Sequence, residues 1–330
     1  MIITQTPLRV SLAGGGTDIP QYYTRHGGEV LGLGIDKYLF VWIKERFDRQ
    51  IIVNWTRKEV VSQLDEIQHE LVREAARMAD LAHGFEVTTL ADIPSEGSGL
   101  GSSSALTVCL LNAFFQHQGM QLSNAELAQR ACDIELRVLG KPMGKQDQYL
   151  AAFGGLQHLF FHPDETVTRE TVKTTPDALR QLNHNLLLYY TGITRKASAP
   201  LKVQIDGMEK LFPLYHQIKQ MAGRMRKVIE AGQMDEVGVL LHEAWEIKRQ
   251  FAAVTMPEID RMYETARQNG ASGGKLCGAG GGGFLLVYCP LHEQERLRRA
   301  MSAYPEMPFE IDRIGTRAIL NVQRRMWKIR

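Results

Sequence analysis

The feature of this 330-residue sequence that most constrains its fold is a glycine- and serine-rich turn at residues 97–104, Gly-Ser-Gly-Leu-Gly-Ser-Ser-Ser. The turn follows a strand-like segment, Phe85–Leu90, and opens directly into a long apolar stretch, Leu106–Phe115, that is typical of a buried helix. Three glycines let the backbone approach a ligand closely, and a helix start offers unpaired N–H groups and the positive end of a dipole. The pattern therefore predicts an anion-binding turn, and nucleotide phosphates are the anion that it favours.

Other interpretations of this turn explain it less well. A serine-rich N-cap would look partly similar and is the structural alternative. The dinucleotide-binding fingerprint differs in the spacing of its third glycine, and no acidic residue ends a second strand about 20 residues further on. The common phosphate loop needs a Gly-Lys-Ser/Thr that is missing here. The groups expected to surround the phosphates belong to Gly97, Ser98, Gly99, Leu100, Gly101, Ser102, Ser103 and Ser104.

Composition argues against several classes of partner. The net charge is +2 with acidic and basic residues intermixed, so neither a nucleic-acid surface nor a membrane surface is expected. The first residues lack the plan of a signal peptide, and no apolar run reaches the ~18 residues that span a bilayer. The 4 cysteines have neither metal-binding nor disulfide spacing. We expect a cytoplasmic enzyme.

Two further glycine-rich turns lie far from the first. Ala13–Asp18 follows a strand predicted over Ile2–Leu12, and Gly270–Gly283 precedes a strand predicted over Phe284–Cys289. Asp18 stands beside freely approachable backbone, which suits a polyhydroxylated ligand, although a hairpin loop is the alternative. A long glycine loop is entropically costly in a compact domain, which favours a role in close ligand approach for the Gly270–Gly283 turn.

Two acidic residues have an open interpretation at this point. The capping box Ser123–Glu126 starts a helix that is predicted to continue to Leu139. Glu135 lies near the end of that helix, where the dipole disfavours a carboxylate, so it either faces solvent or has a cation beside it. Asp147 precedes the apolar run Tyr149–Phe153 and is either a helix cap or a positioned base. Taken alone, each residue favours the structural alternative.

The length of the chain suggests two domains. The boundary is expected in the polar stretch from about Thr174 to Asn183, which gives an N-terminal domain over 1–178 and a C-terminal domain over 179–330. Within the first domain, apolar residues at three- and four-residue steps predict a helix over Lys58–His83.

Taken together, the three turns resemble the ordered motifs of the GHMP kinase superfamily, which phosphorylates galactose, homoserine, mevalonate and related small molecules. The first motif is similar to Pro7–Asp18, the second to Gly97–Ala105 and the third to Lys275–Gly283. Three motifs in the right order are more specific than any one of them. The resemblance implies an α+β fold of two domains, an N-terminal domain that binds ATP, and an active site in the cleft between the domains.

The resemblance also implies roles for individual residues. Asp147, within a Gly-x-x-Asp-Gln pattern, matches the catalytic aspartate, and Arg9 matches the cation beside it that steadies developing charge. Ser103 and Glu135 match the two protein ligands of magnesium, and Asp18 matches the sugar-binding aspartate. Magnesium prefers oxygen ligands and keeps several waters, so one hydroxyl and one carboxylate suffice beside the phosphates of ATP. An aspartate near the acceptor hydroxyl takes its proton, which contributes ~10²–10⁴ in rate.

Within the superfamily, the first motif narrows the expected substrate. Its Gly14–Asp18 form, together with Gly34–Tyr38, resembles the D-glycero-D-manno-heptose 7-phosphate kinases, which phosphorylate the anomeric hydroxyl during the synthesis of nucleotide-activated heptose. The resemblance implies formation of the 1,7-bisphosphate from the 7-phosphate. Fucokinases share a related glycine turn, so an anomeric kinase of free fucose or galactose is one alternative. A non-catalytic sensor of sugar and nucleotide on the same fold is another.

A 7-phosphate substrate requires a second anion site. Arg195 and Lys196, with Thr194, are the first candidates, because two bases and several hydroxyls follow a predicted strand; Arg25 and Lys37 are the reserve candidates. The expected partner is a small-molecule sugar or sugar phosphate, and a homodimer is left open. The substrate contacts expected from the motifs and this loop are Gly16, Thr17, Asp18, Asp36, Lys37, Arg195, Lys196, Gly280 and Gly281.

Overall fold

The computed structural model describes residues 1–93, 97–194, 205, 207–252 and 254–322. Within these residues the chain forms one sheet of nine strands and one sheet of four. The strands are β1 (Ile2–Ala13), β2 (Gly28–Glu45), β3 (Ile51–Asn54), β4 (Lys58–Val61), β5 (Phe85–Ala91), β6 (Leu156–Phe161), β7 (Val167–Thr171), β8 (Leu186–Tyr190), β9 (Gly273–Leu276), β10 (Phe284–Tyr288), β11 (Glu306–Met307), β12 (Ile311–Asp312) and β13 (Arg317–Asn321).

Helices lie between these strands, some singly and some in consecutive runs. They are α1 (Pro20–His26), α2 (Glu70–Met78), α3 (Ser102–His117), α4 (Asn124–Cys132), α5 (Gln146–Phe153), α6 (Pro176–Asn185), α7 (Met208–Glu230), α8 (Met234–Lys248), α9 (Pro257–Gln268) and α10 (Gln294–Ala300). Across the described ranges, no helix combines the length and the apolarity needed to cross a membrane.

The larger sheet is organised by β2, which pairs with β1, β5, β6 and β12. The sequence predicts two strands here, Val30–Ile35 and Tyr38–Ile43, separated by Asp36-Lys37, but the structure has one continuous strand of 18 residues. The polar pair is accommodated by a bulge, because Pro7 lies opposite Tyr38 while the next residue, Leu8, lies opposite Ile35. The pairing therefore continues past two residues that by themselves resemble a turn.

Helix α3 confirms the buried helix predicted after the glycine- and serine-rich turn. It packs against β1 and β2, and its residues from Ser104 to Phe115 are all buried. The capping box at Ser123 is also confirmed, since its hydroxyl accepts a hydrogen bond from the backbone N–H of Glu126. Beyond Cys132 the helix widens into a π-helical turn, Asp133–Val138.

The helix predicted over Lys58–His83 is wrong in its first half. Residues Lys58–Val61 form strand β4, which pairs with β3 so that Ile51 lies opposite Val61. Only Glu70–Met78 is α-helical. The β-branched pair Val60-Val61 fits a hairpin, and pairing with a strand that precedes it in the chain outweighs the helical spacing of the apolar residues.

The end of the described chain returns to the larger sheet. Strand β13 pairs with β1, and β12 pairs with β2, whereas β8 to β11 form the smaller sheet. A division at residues 1–178 and 179–330 remains a prediction, and the sheet topology adds that 311–321 contribute strands to the sheet of the first part.

Candidate active site

One cavity, of about 490 Å³, is lined by all three glycine-rich turns. The turns reach it from strands and helices that lie far apart in the sequence. The lining residues that belong to the three motifs include Arg9, Ser11, Gly14, Gly15, Gly16, Asp18, Gly97, Ser98, Gly99, Gly101, Ser102, Ser103, Ser104, Lys275, Gly278 and Gly280. Asp147, Gln146, Lys141 and Lys248 line it as well. The tertiary structure thus assembles in one place the chemistry that the three turns predict separately.

Arg9 and Asp147 form a bidentate ion pair in this cavity. The guanidinium donates from Nε to Oδ1 at 2.7 Å and from Nη2 to Oδ2 at 2.8 Å, and its Nη1 donates to the carbonyl of Gly99 at 2.7 Å. Burial alone would lower the pKa of Arg9, but the charge and hydrogen bonds of Asp147 raise it above its ordinary value. The side chain of Asp147 is 17% exposed, so the carboxylate is held firmly and still reaches the cavity.

The glycine- and serine-rich turn leads into α3 as predicted, with Gly101 as N-cap in the left-handed region. Ser102, Ser103 and Ser104 form the first turn of the helix, where backbone N–H groups have no intrahelical partner. Gly99 has a φ of 74°, and a Cβ atom there would lie 2.5 Å from the carbonyl oxygen of Cys277. Glycine is therefore required because the second turn packs on the backbone of the third, a contact that sequence reasoning missed.

Glu135 is fully buried, which excludes the solvent-facing alternative left open by the sequence. Its Oε1 accepts a hydrogen bond from Ser103 Oγ at 2.7 Å, and its Oε2 accepts one from Gln148 Nε2 at 2.7 Å. Burial raises the pKa of Glu135, although the hydrogen bond from Ser103 and the charge of Lys141 act in the opposite direction. A buried carboxylate of this kind is costly unless a cation or several donors compensate it.

The pair Ser103 and Glu135 fits magnesium by its chemistry. Both side chains offer hard oxygen atoms, and the two oxygens are already in contact at 2.7 Å. No group of three or more His, Cys, Asp and Glu side chains that could hold a metal ion occurs in the described part of the chain. A site with two protein oxygens matches magnesium that is bound mainly through phosphates and water. Ser103 lines the cavity, whereas Glu135 lies behind it.

Asp18 is held by Gln146, the residue that precedes Asp147 in the sequence. Its carboxylate accepts hydrogen bonds from the backbone N–H of Gln146 at 3.0 Å, from Gln146 Nε2 at 3.0 Å and from the N–H of Gly16 at 2.9 Å. Burial raises the pKa of Asp18, and the negative charge of Asp147 raises it further. A Cβ atom on Gly144 would collide with the carboxylate of Asp18, so glycine is required there for close approach.

Two buried polar atoms near Gly15 have no hydrogen-bond partner within the described ranges. They are Ser11 Oγ and Gln146 Oε1, and both residues line the cavity beside Gly15. Buried polar atoms are normally satisfied by protein, water or ligand. A ligand with several hydroxyl groups would satisfy both.

Three lysines that line the cavity, Lys141, Lys248 and Lys275, were not assigned a role from the sequence. Burial lowers the pKa of Lys275 to about 8, and its Nζ donates to the carbonyl of Ser11 at 2.8 Å. Burial also lowers the pKa of Lys248 to about 8, and the charge of Lys275 lowers it further. Lys275 opens the third motif and was recognisable there. Lys248 ends a helix with no local signal that points to a ligand.

The remaining predicted contacts differ in where they lie. Gly280 lines the cavity, whereas Leu100, Thr17 and Gly281 do not. The structure does not bring Asp36 and Lys37 to the cavity. They sit on the bulge of β2, where Lys37 Nζ donates to Asp36 Oδ1 at 2.9 Å. The reserve candidate Arg25 pairs with Glu209 on the surface. Arg195 and Lys196 lie outside the described residues.

Comparison with known proteins agrees with this geometry. The family description "GHMP kinases N terminal domain" matches residues 67–155, and "GHMP kinases C terminal" matches residues 225–306. A D-glycero-alpha-D-manno-heptose 7-phosphate kinase of Campylobacter jejuni is 33% identical over 315 residues, covering 91% of this chain and 93% of the relative. This chain is a GHMP kinase. The predicted family and the α+β fold are thereby confirmed.

This GHMP kinase is also similar to a protein of known structure and to an enzyme of a different specificity. A crystal structure titled as a D-glycero-D-manno-heptose 1-phosphate kinase from Bacteroides thetaiotaomicron has a TM-score of 0.82 and 27% identity, covering 98% of this chain and 100% of the other. An L-fucokinase/L-fucose-1-P guanylyltransferase of Bacteroides fragilis is 30% identical across 86% of this chain and 34% of its own length. The GHMP kinase described here is a phosphotransferase with an alcohol acceptor, and ATP is the family's phosphate donor.

Proposed function

We propose that this GHMP kinase transfers the γ-phosphate of ATP to the anomeric hydroxyl of D-glycero-D-manno-heptose 7-phosphate and forms the 1,7-bisphosphate. One observation carries the proposal. A carboxylate held by a bidentate arginine, Asp147, faces the same cavity as an anion-binding helix start and a second carboxylate, Asp18. The 33% identity to a heptose 7-phosphate kinase over nearly the whole chain supports this choice of acceptor.

The residues act by position and by charge. Asp147 accepts the proton of the acceptor hydroxyl as the hydroxyl oxygen forms its bond to the γ-phosphorus. The bond between that phosphorus and the β,γ-bridging oxygen breaks, and ADP carries away the electron pair. Arg9 keeps the carboxylate in place by a direct charge contact at 2.7 Å. The backbone N–H groups of Ser102 to Ser104 hold phosphate oxygens at the helix start.

Magnesium, held by Ser103 and Glu135, would supply charge neutralisation on the phosphates. Asp18, Ser11 and Gln146 orient the sugar, because all three residues line the cavity that Asp147 also lines. Packing of the second turn on the third, at Gly99 and Cys277, keeps the phosphate-binding backbone in place. Proton transfer and phosphoryl transfer then take place in a site whose donors are arranged before the substrates arrive.

The test is ADP release with magnesium and ATP across a panel of acceptors, with phosphorus NMR on each product. The panel contains D-glycero-D-manno-heptose 7-phosphate, the corresponding 1-phosphate and free heptose, D-mannose, L-fucose and D-galactose. Turnover with the 7-phosphate and a new anomeric phosphate signal is the expected result. Turnover restricted to a free sugar would retain the kinase but contradict the substrate. Binding of ATP and sugar without ADP release would instead favour the sensor.

The 1-phosphate belongs in the panel because the structural relative at TM-score 0.82 has a title that names it as the substrate. With that acceptor, Asp147 would face a different hydroxyl of the same sugar. Conversion of the 1-phosphate in preference to the 7-phosphate would therefore contradict the site of transfer while leaving the roles of Arg9, Asp147 and the anion-binding turn intact.

A further inference from the structure

We propose that Lys141 contacts the triphosphate of ATP beside the proposed magnesium ligands, Ser103 and Glu135. The inference rests on the proposed function, because it adds a residue to the phosphate-binding part of that site. Lys141 lies outside all three glycine-rich turns, in the segment between the π-helical turn Asp133–Val138 and helix α5. Neither the anion-binding turn nor the metal ligands predicted from the sequence include it.

The contacts of Lys141 place it next to the pair Ser103 and Glu135. Its backbone N–H donates to the carbonyl of Glu135 at 2.9 Å, and the carboxylate of Glu135 accepts from the hydroxyl of Ser103 at 2.7 Å. Ser103 lies in the first turn of α3, where backbone N–H groups have no intrahelical partner and can bind an anion. A single residue, Glu135, therefore connects Lys141 to the helix start that is expected to hold the phosphates.

The side chain of Lys141 is directed to the same region. Its charge acts to lower the pKa of Glu135, against the effect of burial. Its Nζ lies 2.8 Å from Oε1 of Glu70, and both Lys141 and Glu70 line the cavity. An ammonium group has three N–H donors, so one contact with Glu70 leaves donors for a phosphate oxygen. Lys141 can thus bind a phosphate while it keeps the contact that positions it.

The charge balance of the site favours this contact. Glu135 is fully buried, and a triphosphate bound at Ser103 brings several negative charges next to its carboxylate. Like charges repel strongly in a buried site, because little water screens them. Magnesium offsets part of this repulsion, and an ammonium group that already acts on Glu135 offsets more of it. Arg9, by contrast, is engaged with both oxygens of Asp147 and with the carbonyl of Gly99.

A purely structural role for Lys141 explains these observations less well. In that interpretation, the ion pair with Glu70 ties the segment before α5 to the first turn of α2. The side chain of Glu70 is 50% exposed and that of Lys141 is 26% exposed, and ion pairs with this much access to solvent contribute little to stability. A structural role also gives no reason for the pair to line the cavity.

The experiment measures the binding of ATP, ADP and AMP by calorimetry, first in a chelating buffer and then with magnesium. The proteins are the wild type, Lys141→Met, Lys141→Arg, Glu70→Gln and Lys44→Met. Lys44 is the matched control, because its Nζ lies 2.9 Å from Oε2 of Glu86 and neither residue lines the cavity. We expect Lys141→Met to raise Kd for ATP and ADP about 10- to 100-fold, the loss of one charged hydrogen bond. Kd for AMP should change less than about twofold, because AMP lacks the β- and γ-phosphates.

Glu70→Gln distinguishes phosphate binding from a structural role. If Lys141 binds phosphate, this variant should bind ATP at least as tightly as the wild type, because the lysine keeps its charge and loses a competing carboxylate. An equal loss of ATP affinity in Glu70→Gln and Lys141→Met would mean that the ion pair only holds the segment in place, and it would overturn the inference. Lys141→Arg should retain most of the affinity, since it keeps the charge, and Lys44→Met should retain all of it.

The other outcomes separate the inference from the function on which it rests. A wild-type protein that binds no ATP would overturn the proposed function and the inference together. ATP binding that survives Lys141→Met unchanged, or an equal loss for ATP and AMP, would overturn only the inference. If thermal unfolding finds Lys141→Met unfolded, Lys141→Gln takes its place, and the ratio of the Kd values for ATP and AMP decides in the same way.

Discussion

Both carboxylate oxygens of Asp147 accept hydrogen bonds from one guanidinium group, that of Arg9, at 2.7 and 2.8 Å. The third nitrogen of the same group donates to the carbonyl of Gly99 in the anion-binding turn at 2.7 Å. One side chain thus sets the distance between the proposed base and the proposed phosphate site. Three of the predictions below depend on this arrangement or on the groups around it.

Replacing Asp147 by asparagine should remove the proton acceptor while preserving the shape of the site. We expect Asp147→Asn to lower kcat by ~10²–10⁴, with ATP binding retained. Asp48→Asn is the matched control, because Asp48 forms a bidentate pair with Arg46 away from the cavity. Steady-state kinetics and nucleotide titration measure the two quantities. A variant with more than about a tenth of wild-type kcat would contradict the assignment of the base.

Arg9→Lys should keep a positive charge but lose the planar fork that contacts both oxygens of Asp147. We expect kcat to fall by about 10- to 100-fold through misplacement of the carboxylate, with a small change in overall stability. Arg46→Lys removes an equivalent fork on the surface and should leave kcat unchanged. The comparison uses kcat and thermal unfolding of both variants, and equal effects on kcat would refute a special role for Arg9.

Glu135→Gln should have opposite effects on the stability of the fold and on the use of magnesium. Because burial raises the pKa of this carboxyl group, its ionised form costs stability in the absence of a metal ion. The amide should therefore raise the free energy of unfolding at pH 7 in a chelating buffer. The same variant should require several-fold more magnesium for half-maximal turnover. Glu236→Gln, an exposed carboxylate in the first turn of α8, should do neither.

Gly99→Ala tests the contact between the second and third glycine-rich turns. Alanine at a φ of 74° is strained, and its Cβ would lie 2.5 Å from the carbonyl oxygen of Cys277. Gly119→Ala has a similar φ of 78° with nothing within 4 Å, so it carries only the backbone strain. We expect Gly119→Ala to cost ~1–2 kcal/mol and to leave kcat/KM for ATP unchanged. Gly99→Ala should lower the free energy of unfolding by more than this and should also lower kcat/KM for ATP. Chemical denaturation measures the first quantity and steady-state kinetics the second.

The local sequence was enough to predict those structural elements that are specified by the residues of one short segment. The turn at 97–104, the buried helix after it and the capping box at Ser123 are encoded by residue type and spacing within about a dozen positions. The resemblance of the three glycine-rich turns to the motifs of the GHMP kinases also predicted the family of the chain and one active site to which all three turns contribute. These inferences succeeded because backbone requirements, such as a helix cap, are met by the residues of one short segment.

Only the tertiary structure decided what depends on neighbours far along the chain. Residues 58–61 became a strand because β3 was available for pairing, and Asp36-Lys37 became a bulge because β1 continues past them. Glu135, which alone resembles a surface residue, is buried against Ser103, 32 positions away. Arg9 and Asp147 meet across 138 positions, and Lys248 reaches the first turn from the end of a helix with no local signal. Such contacts follow from packing of the whole chain, which brings side chains together irrespective of their separation in sequence.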